Sequence, residues 1–133
     1  SPDHSPVNLK IDPSHSSDLK STVEAMLNSP VTGASTAASI THCRLGPLSL
    51  SDLQSAFPEL KYDDPRVVYE DWEENGMHYF GMRTKKNVMH GIVRIVKPFS
   101  WIMEATFKEG KCHGLQRFIK EAGSYEVSQY RDG

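Results

Sequence analysis

The chain has 133 residues, a formal net charge of −2 and 38% hydrophobic residues, enough for one domain with a core. No overall positive charge attracts nucleic acid, so a nucleic-acid partner is not expected, and no apolar run approaches the ~20 residues that span a bilayer. The two cysteines, Cys43 and Cys112, show no C-x-x-C spacing and no disulfide framework, which favours a reducing, cytoplasmic compartment.

The N-terminal part of the chain predicts a tail and then a helix. Residues 1–15 are rich in proline and serine and carry little apolar surface, which predicts a flexible tail. Residues 17–28 have apolar residues at helical spacing, and Pro30 then ends the pattern, so a first helix is predicted there. Its apolar stripe consists of Leu19, Val23, Met26 and Leu27.

The rest of a helical segment, residues 16–60, contains a predicted linker and a second helix. Within the linker, residues 30–48, the small residues 31–39 are typical of irregular chain, and residues 40–45 predict a short strand. Residues 49–57 predict the second helix, because Ser49 and Asp52 resemble a capping box and Pro58 follows.

Residues 61–133 predict a β region, because glycines separate short apolar and aromatic runs. The predicted strands are 67–72, 77–83, 91–97, 101–108, 115–120 and 125–130. Connections this short join antiparallel strands as successive hairpins. The predicted fold is therefore α+β: an open antiparallel sheet in the C-terminal half, preceded by two short helices and the tail.

An internal repeat lies within this β region. The segment 90–97 (HGIVRIVK) recurs 23 residues later as 113–120 (HGLQRFIK), with His, Gly, Arg and Lys identical in both copies. Such a period is typical of chains built from stacked units. Gly110 permits the positive φ of a two-residue hairpin turn, and Gly114 leaves room for a close neighbour.

The repeat resembles the MORN family (membrane occupation and recognition nexus), whose units read roughly Tyr-x-Gly-x-Trp/Phe-x-x-Gly-x-x-His-Gly-x-Gly. Phe107, Gly110, His113 and Gly114 match this pattern in register, and Phe80, Gly81, His90 and Gly91 match it in a less regular unit. Met103, Ala105, Val93 and Gln116 depart from it. The resemblance covers about residues 67–133. It implies an elongated, twisted sheet of stacked MORN-like hairpins, structural roles for the matching residues, and no enzyme fold.

His90 and His113 are the obvious candidates for metal binding or acid–base chemistry. A closed zinc site needs four ligands, but the repeat region has one cysteine and its histidines lie one repeat apart. His113 cannot activate Cys112, because adjacent residues of a strand point to opposite faces. No P-loop or Gly-x-Ser-x-Gly motif is present. We therefore predict that each histidine packs on an aromatic ring and bonds a backbone group, with no catalytic residue, metal or cofactor.

Charge is segregated along the chain: residues 59–74 are strongly acidic, and residues 75–103 contain no acid. The tentative residues for binding an anion, a lipid or a partner are Arg83, Lys85, Lys86, Arg94, Lys97, Arg117 and Lys120. The repetition of Arg94 and Lys97 favours a regular basic stripe along the sheet, which could meet anionic lipid. The alternative interpretation is a solvated strand face whose charges pair within the chain.

The aromatic residues leave two interpretations open. In an array of hairpins they supply most of the buried surface, whereas an exposed subset would form a groove for a peptide. They are Trp72, Tyr79, Phe80, Phe99, Trp101 and Phe107.

Taken together, the sequence predicts a non-catalytic binding or scaffold module that engages a protein segment or an anionic lipid surface through its sheet and basic stripe. The alternatives are the recognition part of a larger multidomain enzyme and an unrelated small β-rich enzyme. A protein partner is expected first and an anionic membrane surface second. Exposed strand edges would also allow a homodimer. The expected location is the cytoplasm, with attachment to a membrane or the cytoskeleton left open.

Overall fold

The fold is a layer of helices on one antiparallel sheet. A computed structural model describes residues 16–131, and their side chains from residue 18 onward; the predicted tail, 1–15, lies outside these residues. The described chain forms α1 (Ser16–Asn28), α2 (Thr36–Leu45) and α3 (Leu50–Ala56), followed by six strands. The strands are β1 (Val67–Glu74), β2 (Met77–Thr84), β3 (Met89–Val96), β4 (Ile102–Lys108), β5 (Lys111–Ile119) and β6 (Tyr125–Tyr130).

The sheet is an open antiparallel meander in which every strand pairs with the next one along the chain. The predicted α+β class and all six strands are confirmed, with ends that differ by up to four residues. Two connections are two-residue turns, Asn75–Gly76 and Glu109–Gly110, whose residues all have positive φ. Turns of this kind match the twist of the strands they join, and Gly110 fills its predicted role.

The helices α1 and α3 agree with the sequence. Helix α1 begins one residue earlier than predicted. The Ser49 side chain accepts a hydrogen bond from the backbone N–H of Asp52 at 3.0 Å, so Ser49 caps α3 as the capping-box pattern indicates. The backbone N–H of Phe57 donates to Leu53 O and closes the last turn.

The strand predicted at residues 40–45 is wrong, because α2 occupies this part of the predicted linker. The Ser35 hydroxyl accepts a hydrogen bond from the N–H of Ala38 at 3.0 Å and caps the helix. Gly46, at a positive φ of 78°, closes the other end by donating to His42 O. The alanines between these caps favour helix, and the inward residues Ala38 and His42 are buried. Two good caps and small residues therefore outweigh the short apolar run.

The two faces of the sheet have different surroundings. On one, called here the helix face, α1 packs on β1 and β2 and α3 packs beside β5, through residues that include Leu19, Leu53 and Phe57. The segment around α2 packs on Val96, Ile102 and Ile119 of the same face. The opposite face, called the open face, has its own apolar cluster, which includes no helix residue among those described.

The repeat in the sequence corresponds to a repeat in the sheet. Gly91 lies opposite Phe107, and 23 residues further on Gly114 lies opposite Tyr130. Each His-Gly pair also sits in a bulge: residues 90–92 face the single residue Met82, and residues 113–115 face Thr106. The N–H groups of the bulges donate to these facing side chains, Ile92 N to Met82 Sδ at 3.3 Å and Leu115 N to Thr106 Oγ1 at 3.0 Å.

Both bulge glycines have a steric reason. A Cβ at Gly91 would clash with the Met82 side chain, and a Cβ at Gly114 would clash with Thr106 Oγ1. At Gly114 it would also come within 3.2 Å of Ala56 O and Phe57 Cβ, at the end of α3. Each glycine has a positive φ, 116° and 101°, which other residues rarely adopt.

We expect Gly114→Val to unfold the C-terminal hairpin, because the added side chain meets both Thr106 and the end of α3. Gly46→Val is the matched control, since Gly46 also has a positive φ but has nothing within 4 Å of the added Cβ. The control should lose only the stability that backbone strain costs, about 1–3 kcal/mol. Circular dichroism measures the strand content of both variants, and urea unfolding measures their stability. Equal losses would show that close packing at Gly114 is unimportant.

Candidate functional site

The open face presents aromatic and sulfur-containing side chains. Its buried residues are Tyr79, Val93, Ile95, Ala105 and Phe107. Partly buried residues pack around them: Trp72, Met77, Met89, Trp101, Met103 and Cys112. The small residues Val93 and Ala105 are buried because larger side chains of the same cluster cover them. A continuous apolar surface therefore covers β2–β4, on the side of the sheet away from the described helices.

One end of this surface is a stack of three side chains. The rings of Trp72 and Tyr79 are parallel within 6°, with centroids 5.0 Å apart. The Arg83 guanidinium lies 4.0 Å from the centroid of the Trp72 ring and donates from Nε to Glu70 at 2.6 Å. Arg83 is therefore paired and stacked, which reduces its availability as a free cation for an anionic surface.

The other end is built by β4–β6. Trp101 and Phe118 meet edge to face, with ring centroids 5.4 Å apart. The Gln116 amide donates to Met103 Sδ at 3.3 Å and accepts from the Tyr130 hydroxyl at 3.0 Å. Side chains that are half-buried and held by their neighbours are pre-organised, so a ligand here would lose little freedom by ordering them.

The regular basic stripe predicted along the sheet is not formed. Arg94 and Arg117 are 4% and 5% exposed and lie on the helix face. Lys85 and Lys86 are exposed in the β2–β3 turn, whereas Lys97 and Lys120 are exposed at the opposite end of the strands. Lys120 pairs with Glu126 at 2.8 Å. The seven basic candidates are thus distributed among a buried site, a stack on the open face and three turns at opposite ends of the strands.

The two repeat arginines converge on one carboxylate, Glu104. In the register of the sheet Glu104 lies directly between them, opposite Arg94 on β3 and opposite Arg117 on β5. Arg94 Nε donates to Glu104 Oε2 at 2.9 Å, and Arg117 Nη2 donates to Oε1 at 2.8 Å. His42 Nε2 of α2 lies 3.1 Å from Oε2. Glu104, Arg94, Arg117 and His42 are called here the Glu104 cluster.

The cluster also reaches α1, because Arg94 Nη2 donates to the carbonyl oxygen of Leu27 at 3.3 Å. Helix α1 has no basic residue in its own last turn, so Arg94 supplies the cation that the negative end of the helix favours. The cluster thereby links two helices to β3, β4 and β5. Glu104 itself is 1% exposed.

The protonation of Glu104 follows from these contacts. Burial alone would raise the pKa of Glu104, but the hydrogen bond with His42 and the charges of Arg94, His42 and Arg117 outweigh burial and lower this pKa to about 2. Glu104 is therefore ionised at neutral pH, and its charge is shared between two guanidinium groups.

The repeat histidines lie on either side of Phe57, at the end of α3. The Phe57 ring meets His113 edge-on at a centroid distance of 4.8 Å and His90 at 6.3 Å. His90 Nδ1 accepts a hydrogen bond from the backbone N–H of Glu109 at 3.1 Å. Burial is the main cause of the lowered pKa of His90. These contacts agree with the packing roles predicted for both residues.

Phe80 and Phe107, which match the same position of the sequence pattern, are not equivalent in the sheet. Phe80 lies on the helix face opposite Arg94, as Glu104 lies opposite Arg117. Phe107 lies on the open face. Gly81 is buried where an added Cβ would clash with the backbone of Ile92 and Val93. Phe80 is therefore the equivalent of Glu104, three positions from Phe107, although the two bulges are the same.

The described residues form no metal-binding group and no activated thiol. Among residues 16–131, no group of three or more His, Cys, Asp or Glu side chains could hold a metal ion. Cys112 is half-buried, and burial raises the pKa of its thiol, which disfavours the nucleophilic thiolate. Within the same residues, no helix is both long and apolar enough to cross a bilayer.

Comparisons with protein-family models, with curated proteins and with solved structures gave no match to this chain. The site therefore has to be interpreted from its own geometry.

We expect Glu104→Gln to destabilise the protein by about 3–5 kcal/mol, because the amide leaves two buried guanidinium groups without a counter-charge. Glu126→Gln is the control. It removes the same charge from the exposed ion pair with Lys120 and should change stability by less than about 1 kcal/mol. Urea unfolding at neutral pH measures both variants. Similar effects in both would show that burial of the Glu104 cluster is energetically unimportant.

Stability should also depend on pH through Glu104. Its pKa falls from 4.5, the ordinary value, to about 2 in the fold, so its ionised form stabilises the protein fully above pH 4.5. This contribution is lost as the pH falls from about 4.5 towards 2. The difference in unfolding free energy between the wild type and Glu104→Gln should therefore shrink over this range. A difference that stays constant with pH would contradict the assignment.

Proposed function

We propose that this chain is a non-catalytic binding module of the MORN class, and that its open face receives an apolar segment of a partner protein. The observation that carries this proposal is the aromatic and methionine surface on the side of the sheet away from the described helices. Three of the five methionines of the chain, Met77, Met89 and Met103, lie on it. Methionine side chains adapt to different apolar partners.

Charge favours a protein segment over an anionic lipid surface. On the open face Arg83 pairs with Glu70, and Lys120 pairs with Glu126. The cluster residues between these pairs carry no charge. Binding to anionic lipid draws on clustered Lys and Arg side chains, and here the exposed lysines lie at opposite ends of the strands.

The two tryptophans supply the anchors that such contacts use. Trp72 and Trp101 lie at two ends of the surface and are each supported by a neighbouring ring, Tyr79 or Phe118. Trp, Tyr and Arg side chains carry most of the energy of protein–protein contacts. A segment that spans β1–β5 across this face would contact both tryptophans.

Resemblance to MORN repeats supports the same proposal, because the repeated His-Gly pairs occupy equivalent bulges. On this interpretation the repeat builds the sheet, and the aromatic residues of one face do the binding. The proposal needs no metal and no cofactor.

The proposal is tested by selecting peptides from a displayed library on the wild-type protein and measuring their affinities by calorimetry. Trp101→Ala should weaken the selected peptides about tenfold or more, because it removes an anchor. The control is Ile40→Ala, which truncates an apolar side chain that is 47% exposed on α2, and it should leave affinity unchanged. Both variants are first shown by thermal unfolding to be folded.

The opposite results are equally informative. If no peptide is enriched, or if Ile40→Ala weakens binding as much as Trp101→Ala, the open face is not the binding surface. Vesicles containing phosphatidylserine test the lipid alternative. The lipid alternative predicts that the wild-type protein is retained on these vesicles, with retention lost in Lys97→Glu, Lys120→Glu but kept in Trp101→Ala. That result would show that the partner is a membrane and not a protein segment.

A further inference from the structure

A cleft lies on the helix face, away from the open face, between the end of α1 and strands β1–β3. Its volume is about 330 Å³, near the lower end of the range for small-molecule sites, roughly 300–1,000 Å³. Most of its lining is apolar and comes from Met26, Val31, Phe80 and Val96. Ala25 of α1 lies at its exposed mouth.

Two polar side chains line this cleft without being fully satisfied. Arg94 uses Nε for Glu104 and Nη2 for Leu27 O, and its Nη1 has no hydrogen-bond partner among residues 16–131. The Tyr69 hydroxyl also has none among these residues. Both residues are 4% exposed. Neither donor atom is fully enclosed, so a group bound in the cleft can reach both and accept hydrogen bonds from them.

The charge around Arg94 fits an anionic group. The Glu104 cluster holds two guanidinium groups and one carboxylate, so its fixed charges are not balanced by Glu104 alone. The carbonyl of Leu27 supplies only the partial negative charge of a helix end. Arginine remains protonated in proteins, so the excess cannot be removed by loss of a proton.

Tyr69 complements Arg94 as a neutral donor. Burial first, and then the charge of Asp71, raises the pKa of Tyr69 to about 12, so its hydroxyl keeps its proton at neutral pH. A guanidinium N–H and a phenol O–H on one side of an apolar cleft are donors suited to a carboxylate.

We propose that this cleft binds a small amphipathic carboxylate, with its head between Arg94 and Tyr69 and its apolar body against Met26, Phe80 and Val96. This inference goes beyond the proposed function and does not depend on it, because the cleft and the open face lie on opposite sides of the sheet. The carboxylate completes the hydrogen bonds of both donors and balances the second guanidinium charge.

Asp71 opposes the same ligand. Its side chain lies on β1 beside Tyr69 and acts electrostatically on the Tyr69 hydroxyl. A carboxylate bound there would be repelled by the Asp71 charge, which is partly screened because Asp71 is only half-buried. Removing this charge should therefore tighten binding, an effect that is not expected for an uncharged ligand.

The test uses decanoate as the carboxylate and decanol as the matched neutral ligand, with binding to the full chain measured by calorimetry. Decanoate should bind to the wild type and decanol should bind at least about tenfold more weakly, because the alcohol lacks the charge. Tyr69→Phe should weaken decanoate about tenfold, and Asp71→Asn should tighten it severalfold.

A blocking variant shows that the ligand occupies this cleft. Ala25→Trp fills the mouth from an exposed position of α1 and should abolish binding. Ala122→Trp adds the same ring in the exposed β5–β6 turn and should leave binding unchanged. Substitution of Arg94 is avoided because it would break the Glu104 cluster.

Several results would overturn the proposal. These are absence of decanoate binding at millimolar concentration, equal affinity for decanol, and affinity that is unchanged in Ala25→Trp or in both Tyr69→Phe and Asp71→Asn. Loss of peptide binding in Trp101→Ala has no bearing on the cleft, so failure of this inference and failure of the proposed function are distinguishable.

Discussion

The ion pairs of Glu104 are the constraint on which the helix side of the molecule depends. One carboxylate that is 1% exposed holds two arginines on neighbouring strands and a histidine of α2, and Arg94 continues to the end of α1. A buried ion pair is not in itself a strong source of stability, because desolvation offsets the attraction. Its specificity is greater, because the contacts of His42 with Glu104 and of Arg94 with Leu27 O hold α2 and α1 over the sheet, although Arg117 Nε has no partner among residues 16–131. Packing of apolar side chains alone would leave that placement less defined.

The bulge of β5 brings Arg117 into this cluster. Next to the tight turn at Glu109–Gly110, Phe107 of β4 pairs with Cys112 of β5. If the two strands continued from there without a bulge, Glu104 would lie opposite Leu115. The bulge at residues 113–115 moves the register by two, so that Glu104 faces Arg117 instead. A shift of two keeps every side chain on the same face, so the core is preserved while the charges are brought together. Arg94 reaches Glu104 without a bulge, because β3 pairs with β4 in one unbroken register.

Much of the fold could be predicted from the sequence, because its signals are local. Turn glycines and apolar alternation identified all six strands, and caps with helical spacing identified α1 and α3. Helix α2 was missed because its evidence lies in two caps, Ser35 and Gly46, rather than in an apolar stripe. The basic stripe was wrong for a different reason. The repetition of Arg94 and Arg117 was visible, but their burial depends on a carboxylate whose register is set by a bulge, and a pattern of charges along one chain does not contain that register.

The distribution of charge between the two faces also bears on the proposed protein partner of the open face. Burying Arg94 and Arg117 beneath the helices removes the two repeat cations from the solvent side of the sheet. Two cations of the open face, Arg83 and Lys120, are matched by Glu70 and Glu126. An aromatic surface bounded by matched charges has little long-range attraction for a membrane or a polyanion, so contact there depends on shape and apolar burial. Under the proposed function, selectivity for an apolar segment would follow from where the sheet places its arginines, and the β5 bulge that brings Arg117 opposite Glu104 contributes to it.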